Sequence, residues 1–163
     1  MKRTVLTITA AALLAVSCGG GGETAATPGD AVDEMFRAIA DGDGERAVSY
    51  MSSSAMAEME EQFRMIQQDP EASAQQLRAV GIEIDAEEIP DMTAREFGVR
   101  MISSPMMETV MQEAEITVGE VTMDGDVAHV EVTTTIMGET ETNTIDVVKE
   151  EGRWKVTEFG MRM

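Results

Sequence analysis

Residues 116–156 read ITVGEVTMDGDVAHVEVTTTIMGETETNTIDVVKEEGRWKV. Apolar residues fall at every second position in Ile116-Thr-Val118 and again in Val121-Thr-Met123, and the phase slips at Gly119. A slip of one residue within a strand marks a bulge. Asp124-Gly125 is a hairpin signal. Beyond it Ala128, Val130 and Val132 alternate with His129, Glu131 and Thr133. Gly138-Glu139 turns the chain, Ile145 and Val147 alternate in a third strand, and Glu151-Gly152 makes another tight turn. Trp154, Val156 and Phe159 fall in a fourth strand. Four strands joined by short turns predict an antiparallel meander with one buried face.

Upstream the period changes to that of helices. Thr27-Pro28-Gly29-Asp30 has a capping threonine, proline at the first helical position and an acid two residues later. Val32, Met35, Phe36 and Ile39 then recur at helical spacing. Asp41-Gly42-Asp43-Gly44 ends that helix and caps a second, with Ala47, Val48 and Met51 on its apolar side. Ser52-Ser53-Ser54 starts a third helix carrying Met56, Met59, Phe63 and Ile66. Asp69-Pro70 stops it and starts a fourth, through Leu77 and Val80 to Gly81. In the middle, Ile82 and Ile84 predict a short extended piece. Thr93-Ala94-Arg95-Glu96 resembles a capping box before Phe97 and Met101, and Ser104-Pro105 opens a short helix through Val110. Helices first and sheet second is an α+β pattern. The expected core includes Val32, Phe36, Ile39, Val130, Val132, Val147, Trp154 and Val156.

The chain has 163 residues and a formal net charge of −19. Such a charge excludes nucleic acid as a partner, because phosphate is repelled and binding needs basic patches. Few lysines on so acidic a surface point to a saline setting, where screening weakens self-repulsion. Fifteen methionines stand out. Met56, Met59, Met101, Met106, Met107 and Met111 fall on helical segments. A soft-ligand site for Cu(I) would use thioethers, but methionine is also an adaptable core filler. With one histidine and one cysteine in the chain, filler is the expectation, and no cofactor or metal is expected.

The beginning of the chain is decided by Cys18. Met1-Lys2-Arg3 precedes an apolar stretch from Val5 to Val16 and small residues before Cys18, the pattern of a secretory leader. That stretch is shorter than the roughly 20 residues of a membrane span. Leu13-Leu14-Ala15-Val16-Ser17-Cys18 resembles the lipobox of bacterial lipoproteins, with Ala15 where leucine is commonest. The resemblance implies cleavage after Ser17 and lipid on Cys18, and two acyl chains are enough for stable anchoring. The organisation expected is a leader at 1–17, a glycine-rich tether at 18–27 and one domain at 28–163. Glycine-rich segments are flexible coils. Gly19 is not the aspartate of inner-membrane retention, so the resemblance favours the outer membrane of a two-membrane cell, on the periplasmic side.

"MFRAIADGDGERAVSYMS" (residues 35–52) and "DGDVAHVEVTTT" with "TIDVVKEEGRWKV" (residues 124–135 and 144–156) resemble the nuclear-transport-factor-2-like domains of bacterial lipoproteins, of the domain-of-unknown-function 4878 type. The resemblance covers about Pro28–Ser54 and Ile116–Phe159. It implies a cone, as in cystatin-like folds: N-terminal helices wrapped by a curved four-stranded antiparallel sheet whose mouth can bind small molecules.

Two functions follow as expectations. The first is a non-enzymatic module, held to the membrane by the lipid on Cys18, that binds a small apolar ligand or an envelope protein. The second is an isomerase, cyclase or dehydratase using the cone pocket, since ketosteroid isomerases and polyketide cyclases share this fold. Such enzymes need a positioned base and hydroxyl or carboxyl donors. Here Tyr50 and His129 are the sole residues of their types. By alternation His129 lies opposite Ala128, Val130 and Val132, which places it in solvent if those face the helices; phase alone does not decide which sheet face lines a pocket. Tyr50 reads as a packing residue with its hydroxyl at the rim. Asp41, Asp43, Asp124 and Asp126 sit in turns, where aspartate bonds its own backbone. Asp41-Gly42-Asp43-Gly44-Glu45 lacks the later bidentate glutamate of a calcium loop. No catalytic residue is assigned, and Cys18 is the one modified position expected.

Overall fold

The computed structural model describes residues 25–158. Cys18, the leader, the glycine run and Phe159 lie outside the described residues. Six α-helices come first: α1 (Pro28–Ala40), α2 (Gly44–Ser49), α3 (Ser53–Ile66), α4 (Pro70–Ala79), α5 (Ala94–Ile102) and α6 (Pro105–Glu113), with a 3-10 turn at Ile89–Asp91 between α4 and α5. Four strands follow: β1 (Ala114–Asp124), β2 (Val127–Ile136), β3 (Glu139–Glu150) and β4 (Arg153–Val156). They form one antiparallel sheet in the order β1-β2-β3-β4. The α+β class expected from the sequence is the class observed.

Each α-helix starts where a short polar side chain can take an orphan backbone N–H. Thr27, Asp43, Ser52, Asp69, Thr93 and Ser104 are the six caps. Thr27 with Asp30, and Thr93 with Glu96, complete capping boxes. Pro28, Pro70 and Pro105 occupy the first helical turn, where the missing N–H has no partner to lose. At the start of α3 a second acceptor comes from the sheet: Glu150 takes the backbone N–H of Ser53 at 3.0 Å and its hydroxyl at 2.8 Å.

The sheet carries the predicted bulge. Val118 pairs with Val132 and Val121 with Val130, so Gly119 and Glu120 stand opposite Glu131 alone. The extra residue sets Val121 and Met123 opposite Val130 and Ala128, on the face that carries the core, although both side chains remain exposed at this end of the strand. Gly119 leaves room for the Glu131 side chain, whose Oε1 would lie 3.1 Å from a Cβ there. The first hairpin turns one residue later than Asp124-Gly125 suggests. Asp124 pairs with Val127, so Gly125-Asp126 is the loop, with φ +65° at Gly125. The other two hairpins turn on Met137-Gly138 and Glu151-Gly152, with positive φ at both residues, the form whose twist matches its strands.

The eight expected core residues are all buried, in one cluster where α1, α2 and α6 meet the inner face of the sheet. Segment 50–52 closes the β4 edge: the N–H of Ser52 donates to the Val156 carbonyl and that of Val156 to the Tyr50 carbonyl, both at 2.8 Å. A second cluster, not anticipated from the sequence, joins Phe63, Ala74, Ile82, Ile84, Ile89 and Phe97. Ile82 and Ile84 do alternate in burial, but they pair with no strand. They plug the space between α4 and α5 instead. Among the described residues no helix is long and apolar enough to cross a membrane.

Candidate functional site

A cleft of about 810 Å³ opens between the two apolar clusters. Helix α3 belongs to both: Ala55 packs in the first and Phe63 in the second. Its residues Ala55, Glu58, Met59, Gln62 and Ile66 face the cleft, at the three- and four-residue spacing of one helix face. Phe97, Gly98, Met101 and Ile102 of α5 line the cleft as well, with Met107 of α6, Leu77 of α4 and Met51. The sheet contributes Asn143 and Thr144, and the chain leaving β4 adds Thr157 and Glu158. Thr157 is fixed by its N–H and its hydroxyl, both donating to the Asp146 carbonyl at 2.9 and 2.8 Å.

Two local devices shape the cavity. Phe63 and Phe97 stack with centroids 4.8 Å apart, which holds α3 and α5 together at the second cluster. At Gly98 the helices come so close that an added Cβ would lie 2.7 Å from Sδ of Met59. Glycine there lets the methionine lie along α5 and leaves the cavity open. The walls are therefore largely apolar, with thioethers from Met51, Met59, Met101 and Met107, and the polar groups gather on α3, β3 and the segment after β4. A volume of this order suits a small ligand, which such sites hold by apolar walls and a few placed polar groups.

Of the candidate residues from the sequence, Met59, Met101 and Met107 line the cleft, while Tyr50, His129 and the turn aspartates are elsewhere. Tyr50 is buried in the first cluster and does not line the cleft. His129 lies on the outer face of the sheet, as its phase suggests, but it is paired: its Nδ1 is 2.6 Å from Oδ1 of Asp146, with both side chains nearly half exposed. The pair could have been found by register. A two-residue turn at Met137-Gly138 sets residue 129 opposite 146. Asp43 is the α2 cap, accepting the N–H of Arg46, and the Asp126 carbonyl accepts the N–H of Lys149; these turn residues act on backbone. No group of three or more histidine, cysteine, aspartate and glutamate side chains among the described residues is arranged to hold a metal.

A smaller hollow of about 390 Å³ is lined by Arg78, Glu83, Asp85, Glu88 and Arg100. Its charges pair within it, Arg78 with Asp85 at 3.6 Å and Arg100 with Glu88 at 3.3 Å. Among the described residues two groups titrate away from their ordinary values, and neither lines the cleft or this hollow. Thr93 holds the Glu96 carboxyl below its usual range, chiefly through its backbone N–H. Burial, then the Arg153 charge, lowers Lys155, whose amine donates to the Ser49 carbonyl.

A family model described as "Domain of unknown function (DUF4878)" matches residues 16–157. No curated protein matches the chain. Among solved structures the chain is similar to a Campylobacter jejuni protein provisionally described as an NTF2-like transpeptidase. The two are 14% identical, the match covers 82% of this chain and 99% of that one, and the TM-score is 0.42.

Proposed function

The chain belongs to the family of the domain of unknown function DUF4878, and from that premise we propose that it is a lipid-anchored envelope protein that binds a small, largely apolar ligand without transforming it. The observation that carries the binding reading is the cleft between the two clusters, which presents methionine, leucine, isoleucine and phenylalanine side chains in an open cavity. Tyr50 and His129, the two residues an isomerase of this fold class would recruit first, lie outside it, which favours binding over catalysis. The anchor rests on the lipobox-like run at residues 13–18, which ends at Cys18. In a cell with two membranes it would hold the domain at the outer membrane, on the periplasmic side.

Two measurements test the proposal. Intact mass of the protein from membranes of its own host, before and after delipidation, should give acyl mass on a chain beginning at Cys18; a chain beginning elsewhere with a free thiol removes the anchor. Calorimetric titration with alkyl probes should show binding that Gln62→Trp, which fills the cleft from an exposed position on α3, weakens at least fivefold. Probes that bind the variant and the native chain alike would remove the cleft as the site.

A further inference from the structure

We propose that the ligand is a cationic amphiphile, an apolar chain or ring system ending in a protonated amine or a quaternary ammonium group. The inference rests on the cleft being the ligand site and adds the sign of the ligand's charge. Among the described residues that line the cleft, the charged ones are Glu58 and Glu158. No lysine, arginine or histidine stands among them.

The acids of the fold divide into those held by an arginine and those that are not, and these two are among the latter. Glu34, Glu45, Asp85 and Glu88 are paired with Arg46, Arg95, Arg78 and Arg100 respectively. Glu58 and Glu158 make no ion pair or side-chain hydrogen bond with any described residue. On α3 the arginine nearest Glu58, Arg64, reaches back to Glu60 instead. Gln62, Asn143, Thr144 and Thr157 line the same cavity and bring oxygens that can accept hydrogen bonds from a protonated amine or lie against the charge of a quaternary ammonium group.

The electrostatics then select. A cation at the polar side of the cleft meets two exposed carboxylates that no described residue neutralises, an attraction that is modest and screened by salt. A fatty-acid carboxylate there would face like charges with no basic partner among the described lining. The net charge of −19 acts in the same direction over a longer range and raises the local concentration of cations. The apolar walls accept the rest of the molecule, and thioether side chains adapt to chains or rings of different outline.

The test compares three ten-carbon probes below their micelle concentrations: decyltrimethylammonium, decyl maltoside and decanoate. Each is titrated calorimetrically into the full chain carrying Cys18→Ser, at low salt and pH 7. The cation should bind about fivefold tighter than the neutral probe, the scale set by two partly exposed charge contacts, and decanoate should bind weakest. Glu58→Gln combined with Glu158→Gln should abolish the difference between cation and neutral probe. Molar salt should shrink it in the native chain without variants being needed. Equal binding of all three probes, still sensitive to Gln62→Trp, would overturn the ligand class and leave the cleft reading standing. A cation preference that survives in the double variant would assign it to the general acidity of the surface and overturn the proposal. Binding insensitive to Gln62→Trp would overturn the cleft reading and this inference with it.

Discussion

Replacing Gly44 with alanine should destabilise the fold, although it improves helix propensity. Gly44 is the first residue of α2 and is buried. A Cβ there would lie 2.5 Å from the Val99 carbonyl oxygen and 2.9 Å from its Cα, whereas carbon atoms pack at about 3.5–4.0 Å. The obstacle is the backbone of α5, so no rotamer change relieves it, and α2 must move away. That movement stretches two hydrogen bonds: the Gly44 N–H donates to Ser103 Oγ at 3.3 Å, and the Ser103 hydroxyl donates to the Gly42 carbonyl at 2.8 Å. Overpacking costs about 1–3 kcal/mol and each weakened hydrogen bond about 0.5–1.5 kcal/mol. Alanine returns up to about 1 kcal/mol of propensity. The expected net loss is about 2–4 kcal/mol. Urea unfolding followed by the fluorescence of Trp154 reads it directly. With a slope of about 1–3 kcal/mol per molar urea, the midpoint should fall by about 1–2 M. Ser103→Ala isolates the hydrogen bonds and should cost about 1–2 kcal/mol. A midpoint for Gly44→Ala equal to or above that of the native chain would refute the α2–α5 contact, because propensity alone would then have decided the outcome.

Gly98→Ala should behave oppositely. Its new Cβ meets the mobile end of Met59, Sδ at 2.7 Å and Cε at 3.0 Å, so the side chain can swing. Stability should change by less than about 1.5 kcal/mol, while calorimetric affinity for alkyl probes falls several-fold as Met59 enters the cleft. Trp154→Ala removes a nearly buried ring that also lies 5.5 Å from the Lys149 ammonium; a loss of about 3–5 kcal/mol is expected, and an unchanged denaturation midpoint by circular dichroism would reject its core placement. Thr93→Ala keeps the backbone N–H but removes the hydroxyl, which is the second contribution lowering the Glu96 carboxyl and also caps α5. A depressed carboxyl stabilises above its unfolded value of 4.5 and loses that contribution as pH falls through the folded value. The variant should therefore melt below the native chain at neutral pH, with the gap narrowing under acid; a gap constant down to pH 3 would contradict this linkage.

The helix starts were legible because capping is a local event. Thr27, Asp43, Ser52, Asp69, Thr93 and Ser104 each bond a backbone N–H three residues along, and no distant residue is needed. The inward residues of β2 were legible for a similar reason, since alternation of side chains is a property of any extended strand. The middle of the chain resisted because its elements are held by each other. Ile82 and Ile84 look like a strand by spacing, yet a strand requires a partner edge, and the sheet edges lie elsewhere. The His129–Asp146 pair falls between these cases: it needs only the register of one hairpin, a local quantity that composition does not carry.

The sequence by itself determined the α+β order, the alternation of the sheet, the bulge at Gly119 and eight residues of the first apolar cluster. All follow from periodicity, turn residues and the steric demands of neighbours a few positions apart. The tertiary structure alone decided that a second cluster forms, that α3 joins both, and that the space between them is an open cleft with Glu58 and Glu158 at its polar side. A cavity is what packing leaves unfilled between elements distant in the chain. Its volume depends on how closely α3 approaches α5 at Gly98 and on where the chain emerging from β4 is tied to Asp146, and neither distance is written in any local pattern.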